Sequence, residues 1–390
     1  MPTRAIIVLL LVVTAILPAG GSAALAPADA EAATTARAAI GMVLKRCAAK
    51  PALRSLRVCR RARAKQRRQR RRAARKLRLE QREARQELRD ERPFAPTSFW
   101  NAPLADDEPL DAKSAQYVGR LHSLLREHDP YVNTTRYSTP VYTVPADQPT
   151  VRVRLDNTHE DLREAFREVP IPPGARPAAG SDGHMVVWQP STDTMWEFWK
   201  ARIWLDGWHA RYGGKMENVS SNPGHFTEPN PRWGATATSL PLLGGLMRLD
   251  ELELGHIDHA LALALPERRA DAWSWPAQRT DGRSLHLNAI PSGARFRIDP
   301  RLDLSSLDLS PMVRAMAEAA QRYGMVVRDG AGSIAFYAED PSPNGINPFV
   351  GIGGLFGGRY ISHMLREEFP WEHLQVLKTE MTYAGALSGL

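Results

Sequence analysis

"HMVVWQPSTDTMWEFWKARIWLDGWHARYGGKM", His184 to Met216, is the stretch on which the reading of the chain turns. Two apolar runs flank Pro190 to Asp193, and a second turn signal follows at Asp206-Gly207. A hairpin across Pro190–Asp193 pairs Gln189 with Thr194, Trp188 with Met195, Val186 with Glu197 and His184 with Trp199. Directly opposed residues share a face, and faces alternate along each strand. One face therefore carries His184, Val186, Trp188, Met195, Glu197 and Trp199. The Asp206-Gly207 turn pairs Ile203 with Ala210 and Ala201 with Tyr212, and adds them to that face. Met185, Val187, Trp196, Phe198, Lys200 and Arg202 take the other.

Glu197 then sits among aromatic residues, with His184 diagonal to it. Desolvation raises a carboxyl pKa toward the range useful for proton transfer. Trp188 and Trp199 would suit the apolar face of a sugar ring. The competing reading is a buried, hydrogen-bonded glutamate that fixes a core. An open cleft at Glu197 favours the first; a sealed carboxylate favours the second. A one-residue slip in either hairpin inverts the faces.

Around this meander the 390 residues divide into three parts. Residues 1–26 read as a secretory signal peptide: Arg4, an apolar run from Ala5 to Ile16, and Ala24-Leu25-Ala26 in the A-x-A pattern. Residues 27–92 read as an Ala-rich and Arg-rich helical arm. Its Lys45–Arg92 segment has a balance of +16, against −8 for the rest of the chain. The basic net charge therefore belongs to one segment and points away from a nucleic-acid role for the main domain. The arm suits either a solvated linker helix or a tether to an anionic cell-envelope polymer or membrane surface. The only cysteines, Cys47 and Cys59, flank a turn at Lys50-Pro51. Export makes a disulfide between them plausible across a helical hairpin.

Residues 93–390 read as a mostly β, α+β domain: an antiparallel β-sandwich or jelly roll with a few helices. Short strands at Pro/Gly-punctuated spacing support it. Helices are expected over Asp111–Glu127, and after Ser310 as N-cap with Pro311 first and Gly324 past the end. A hairpin is expected across Asp329-Gly330, and a strand over Ile257–Leu265 that places His259 on an apolar side. Further candidates are Arg279 and Asp281 at a cleft mouth, Arg295 as a carboxylate clamp, and Asp182 or Asp281 as a second carboxylate. His256, Asp258 and His259 match no metal-ligand spacing. "GIGGLFGG" lacks the Gly-Lys-Ser/Thr of a phosphate loop. No cofactor is expected.

The order "SDGHMVVWQ", "TMWEFW", "SLPLLGGL", "GHIDHALALALP", "WPAQRTDG" and "AAQRYGMVVRD" resembles a family of secreted bacterial proteins of uncharacterised activity. The resemblance spans Gly180 to Asp329 and omits the arm. It marks His184, Glu197 and His259 as motif positions and carries no activity with it. The residues themselves lead to two expectations. One is a secreted polysaccharide hydrolase or lyase, with Glu197 as general acid/base and His184 or His259 as its partner. The other is a non-catalytic glycan-binding or envelope protein.

Overall fold

A computed structural model describes residues 57–90, 92–156 and 159–384, together with Met42 and Lys45. The signal segment, Cys47 and the turn at Lys50-Pro51 lie outside the described residues. The chain divides into two units, residues 1–82 and 83–390.

In the arm, helix α1 (Arg57–Asp90) runs for 34 residues. From Arg60 to Lys76 its side chains are exposed or half-exposed. Cys59 is buried and disulfide-bonded.

In the second unit, five further helices follow: α2 (Ser114–Glu127), α3 (Glu160–Ala165), α4 (Leu249–Glu253), α5 (Pro311–Arg322) and α6 (Ile361–Glu368). The strands up to the meander are β1 (Pro130–Asn133), β2 (Val141–Thr143), β3 (Val153–Leu155), β4 (Met185–Gln189) and β5 (Thr194–Trp199). Next come β6 (Arg202–Trp204), β7 (Gly207–Ala210), β8 (Tyr212–Glu217), β9 (Leu261–Leu265) and β10 (Ala272–Ser274). The last are β11 (Arg295–Ile298), β12 (Met325–Gly330), β13 (Ile334–Tyr337), β14 (Leu374–Val376) and β15 (Met381–Tyr383). They form sheets in the orders β1-β13-β9-β12-β11-β14, β2-β4-β5-β8, β3-β7-β6 and β10-β15.

The fold is thus β-rich α+β. Its sheets are mixed rather than purely antiparallel: β1·β13, β2·β4, β3·β7 and β9·β12 are parallel pairs. The first hairpin keeps the expected register, with Val186 opposite Glu197 and Gln189 opposite Thr194. The second does not. Trp204 faces Gly207 and Ile203 faces Trp208, so the turn is Leu205-Asp206. That hairpin leaves the meander for the three-stranded sheet, and β8 returns to pair with β5. The expected hairpin across Asp329-Gly330 is also absent, because β9 lies between β12 and β13. His259 precedes β9 rather than lying on it.

The layers follow from alternation. In "LALAL" of β9 the leucines meet α2, α5 and α6, while the alanines turn to the other side. There Ala262, Ala264, Val326 and Ala335 share a core with Val141, Val186, Met195 and Met216 of the four-stranded sheet. Small side chains on one strand face let the opposing sheet come close. The four-stranded sheet's far face, Met185, Val187, Trp196 and Phe198, packs with Val153, Leu162, Phe166 and Ala210. Burying both faces of β5 is what forces Glu197 into the interior.

Candidate functional site

Glu197 is fully buried. Gly214 stands beside it on β8, and a Cβ there would meet the Phe226 ring at 2.5 Å and the Gly234 nitrogen at 3.1 Å. The missing side chain lets the 234–242 segment, "GATATSLPL", lie against the strand. Its backbone then satisfies the carboxylate: the Ala235 N–H donates to Oε1 at 2.6 Å and the Leu242 N–H to Oε2 at 2.7 Å. Burial raises the Glu197 pKa to about 7, with the two N–H donors and the charges of Arg328 and Arg279 opposing the rise. Glu197 therefore staples both ends of one loop.

The stapled peptides reach further. The Ala235 backbone hydrogen-bonds the His184 imidazole, and the Leu242 carbonyl accepts from Arg328 Nη1 at 2.7 Å. His184 Nδ1 has no partner among the described residues. Burial lowers the His184 pKa against the opposing charges of Asp329 and Asp182. Asp329 accepts at Oδ1 from the N–H groups of Ala237 (3.1 Å) and Gly330 (2.8 Å). Burial pushes its pKa up against His184 and Arg328.

Arg328 is the extra residue of a β-bulge: Val327 faces Leu263, and Asp329 faces Ala264. A bulge re-aims a side chain. Here it sends the guanidinium inward, over the Tyr337 ring at 4.3 Å and onto the Gly244 carbonyl at 2.8 Å. At the rim, Arg268 Nη2 donates to Asp281 at 2.5 Å, and its Nη1 lies where a Gly330 Cβ would be, 1.7 Å from that point. Arg279 Nη2 donates to the carbonyls of Gly234 (3.1 Å) and Thr236 (2.8 Å), and its guanidinium covers the Tyr212 ring at 5.1 Å.

Of the residues singled out in the sequence, His184, Glu197, Asp182, Tyr212, Arg279 and Asp281 thus gather around one loop and one bulge. Arg268, Arg328 and Asp329 join them unforeseen. The signal for the last two was a charged pair inside the apolar run "MVVRDG", which looks like a turn.

Other candidates lie elsewhere. His259 Nε2 meets Glu251 Oε2 at 3.0 Å, and its Nδ1 meets the Ala260 carbonyl at 2.8 Å. Burial would lower the His259 pKa, but the Glu251 charge and hydrogen bond outweigh it, and the net shift is upward. Burial would raise Glu251, and the same partner brings it down. This buried ion pair borders a cavity of about 600 Å³ with Trp188, Trp100 and Arg248. Trp199 is covered by Lys200, 4.7 Å from its ring. Arg295 is not available as a clamp: Nε donates to the Tyr323 carbonyl at 3.0 Å at the end of α5, and burial lowers its pKa to about 10.

A large opening lies along β8, the edge strand of the meander. It is a groove of about 990 Å³, floored by Trp196, Phe226 and Trp233 and edged by Gln189, Asn218 and Asn230. Five carboxylates (Asp161, Glu164, Glu168, Glu217, Glu228) and two cations (Arg167, Lys215) also line it. Among the described residues, no cluster of three or more His, Cys, Asp or Glu side chains could hold a metal ion, and no helix is long and apolar enough to cross a membrane. The chain matches no family model, no curated protein and no solved structure.

Proposed function

We propose that residues 93–390 form an exported glycan-binding module, and that the groove along β8 is its binding site. One observation carries this reading: Glu197 is sealed by two peptide N–H groups, while the edge of the same sheet, along β8, presents an aromatic-floored, amide-edged groove. The groove's volume suits a few sugar rings, and binding sites of this kind combine aromatic walls with a few placed polar groups. Trp233 is half-exposed and supplies the stacking surface. The lining's excess of carboxylates disfavours anionic polymers, so the preferred glycan is neutral or amine-bearing. Export rests on the N-terminal pattern of the sequence. A panel of soluble neutral, amino and acidic polysaccharides, titrated by calorimetry, tests the reading. Trp233→Ala should weaken binding at least about tenfold, a change of about 1.4 kcal/mol. Equal binding by Trp233→Ala, or no binding to any member, removes the groove from function.

A second reading is supported by His184, whose buried Nδ1 has no partner among the described residues and whose ring lies within electrostatic range of Asp329. In that reading the chain is a hydrolase or lyase, with His184 rather than Glu197 moving the proton. Product release by wild type and by His184→Gln decides it; absence of product from both leaves binding alone.

The arm is proposed to attach the protein to an anionic envelope polymer or membrane surface. Exposed charges are screened over about 8–10 Å at physiological salt. Release from isolated envelopes should therefore rise steeply across a salt series, and a chain lacking Lys45–Arg92 should not bind at low salt. Equal retention of both chains would make the arm a spacer.

A further inference from the structure

We infer that Arg268, with Arg279 and Arg328 behind it, forms a carboxylate-binding site whose mouth is held shut by Asp281. This goes beyond the groove reading, since none of the three arginines lines the groove. Arg279 holds the carbonyls of Gly234 and Thr236, Arg328 is the bulge residue and holds those of Leu242 and Gly244, and Arg268 lies against Gly330 at the end of the bulged strand. Five of their buried nitrogens have no partner among the described residues: Nε and Nη1 of Arg268, Nε of Arg279, and Nε and Nη2 of Arg328. The Arg268 side chain is nine-tenths buried and Arg328 is fully buried. Leaving a buried charged donor unpaired is costly, so such a set calls for an acceptor.

Asp281 shows which chemistry fits. Its carboxylate, 65 % exposed, takes a single nitrogen of Arg268, Nη2, at 2.5 Å. A guanidinium prefers to engage a carboxylate with two parallel N–H bonds. A ligand carboxylate that displaced Asp281 would have Nη2 and a neighbouring unpaired nitrogen of the same group. Asp281 would swing into solvent, where it already largely lies. Gly330 is part of the design, because any side chain there would occupy the guanidinium's place. Asp329 and Asp182 stand within electrostatic range of the same cluster, which favours a singly charged ligand over a phosphate dianion.

Asp281 is thus an internal competitor, and removing it should raise apparent affinity by freeing the competent state. The full-length protein would be titrated with sodium glucuronate, sodium acetate, inorganic phosphate and glucose at constant ionic strength, with the thermal midpoint as readout. Glucuronate and acetate should raise the midpoint; glucose should not, and phosphate should act more weakly. Asp281→Asn, an exposed and conservative change, should respond at about tenfold lower ligand concentration. Arg268→Gln should not respond. A purely structural Arg268–Asp281 pair would instead make Asp281→Asn less stable without tightening any ligand. That result, or a full response by Arg268→Gln, overturns the inference. If Arg268→Gln does not fold, the comparison of Asp281→Asn with wild type still decides it.

Discussion

Strand β5 has two faces, and they solve opposite problems. On one, Glu197 is sealed and both its oxygens are matched by backbone donors. On the other, Trp196 and Phe198 are buried in an apolar core, and only the edge of Trp196 reaches the groove along β8. Polarity alone therefore does not mark the exposed side. An acidic residue can be as deeply buried as its apolar strand neighbours Met195 and Phe198 when a nearby loop offers it N–H groups, and buried polar groups are kept where they are satisfied in this way. The difference predicts that substitutions around Glu197 act on stability, while those in the groove along β8 act on binding.

The largest effect should come from Glu197→Ala. It strands two buried N–H groups and leaves a cavity, and its cost should be about 3–5 kcal/mol in urea unfolding. A loss below about 0.5 kcal/mol would mean the loop is held without the staple. Glu251→Gln tests the second buried carboxylate. It should cost about 3 kcal/mol by leaving His259 without its counter-charge, whereas an apolar replacement of both partners should cost far less.

Protonation should sharpen the contrast. The folded pKa of Glu197 is about 7, above its ordinary value of 4.5. A carboxyl raised on folding stabilises most below the unfolded pKa, and that contribution is lost as pH rises through the folded one. Between about pH 4.5 and 7 its share of stability should fall by about 3 kcal/mol. Glu197→Gln should lack this component, measured as the difference between two pH–stability curves. Parallel curves would show that Glu197 titrates normally.

Gly214→Ala should cost about 1–3 kcal/mol, since the new methyl meets Phe226 and the Gly234 backbone. The smallest effect is expected on the groove side. Lys215 lies 5.9 Å from the Trp196 ring and pairs with Glu217 at its edge. Lys215→Met should change stability by less than about 1 kcal/mol while altering glycan affinity. A large loss of stability there would erase the distinction between the faces.

Much of this was legible in the chain, for physical reasons. The first hairpin has alternation on both strands and a Pro-led turn, which together fix its register. The second turn offers Asp-Gly, but Trp204 and Gly207 form the closing pair instead, because β7 must also pair with β3, far away in sequence. Asp329-Gly330 carries the local mark of a turn, yet it ends a strand whose partner comes from residues 261–265. Local rules cannot see an inserted strand. The polar cluster was half visible for the same reason. His184 and Glu197 sit on one readable hairpin, whereas Arg268, Arg328 and Asp329 meet them only through a bulge and a loop. The burial of Glu197 could be framed as a question in the sequence, but only the 234–242 segment answers it.

The placement of β9 between β12 and β13 also sets the order in which the chain can acquire its structure. β9 gains its first neighbour only when β12 arrives from more than 50 residues downstream, and its second only when β13 follows. Parallel pairing of β12 and the return of β1 to β13 add further long closures. Such topology folds slowly, because the entropy of loop closure is spent before the contacts repay it. During synthesis the apolar run of residues 261–265 must therefore wait for β12 to emerge, and one of its edges stays open until Tyr337 follows.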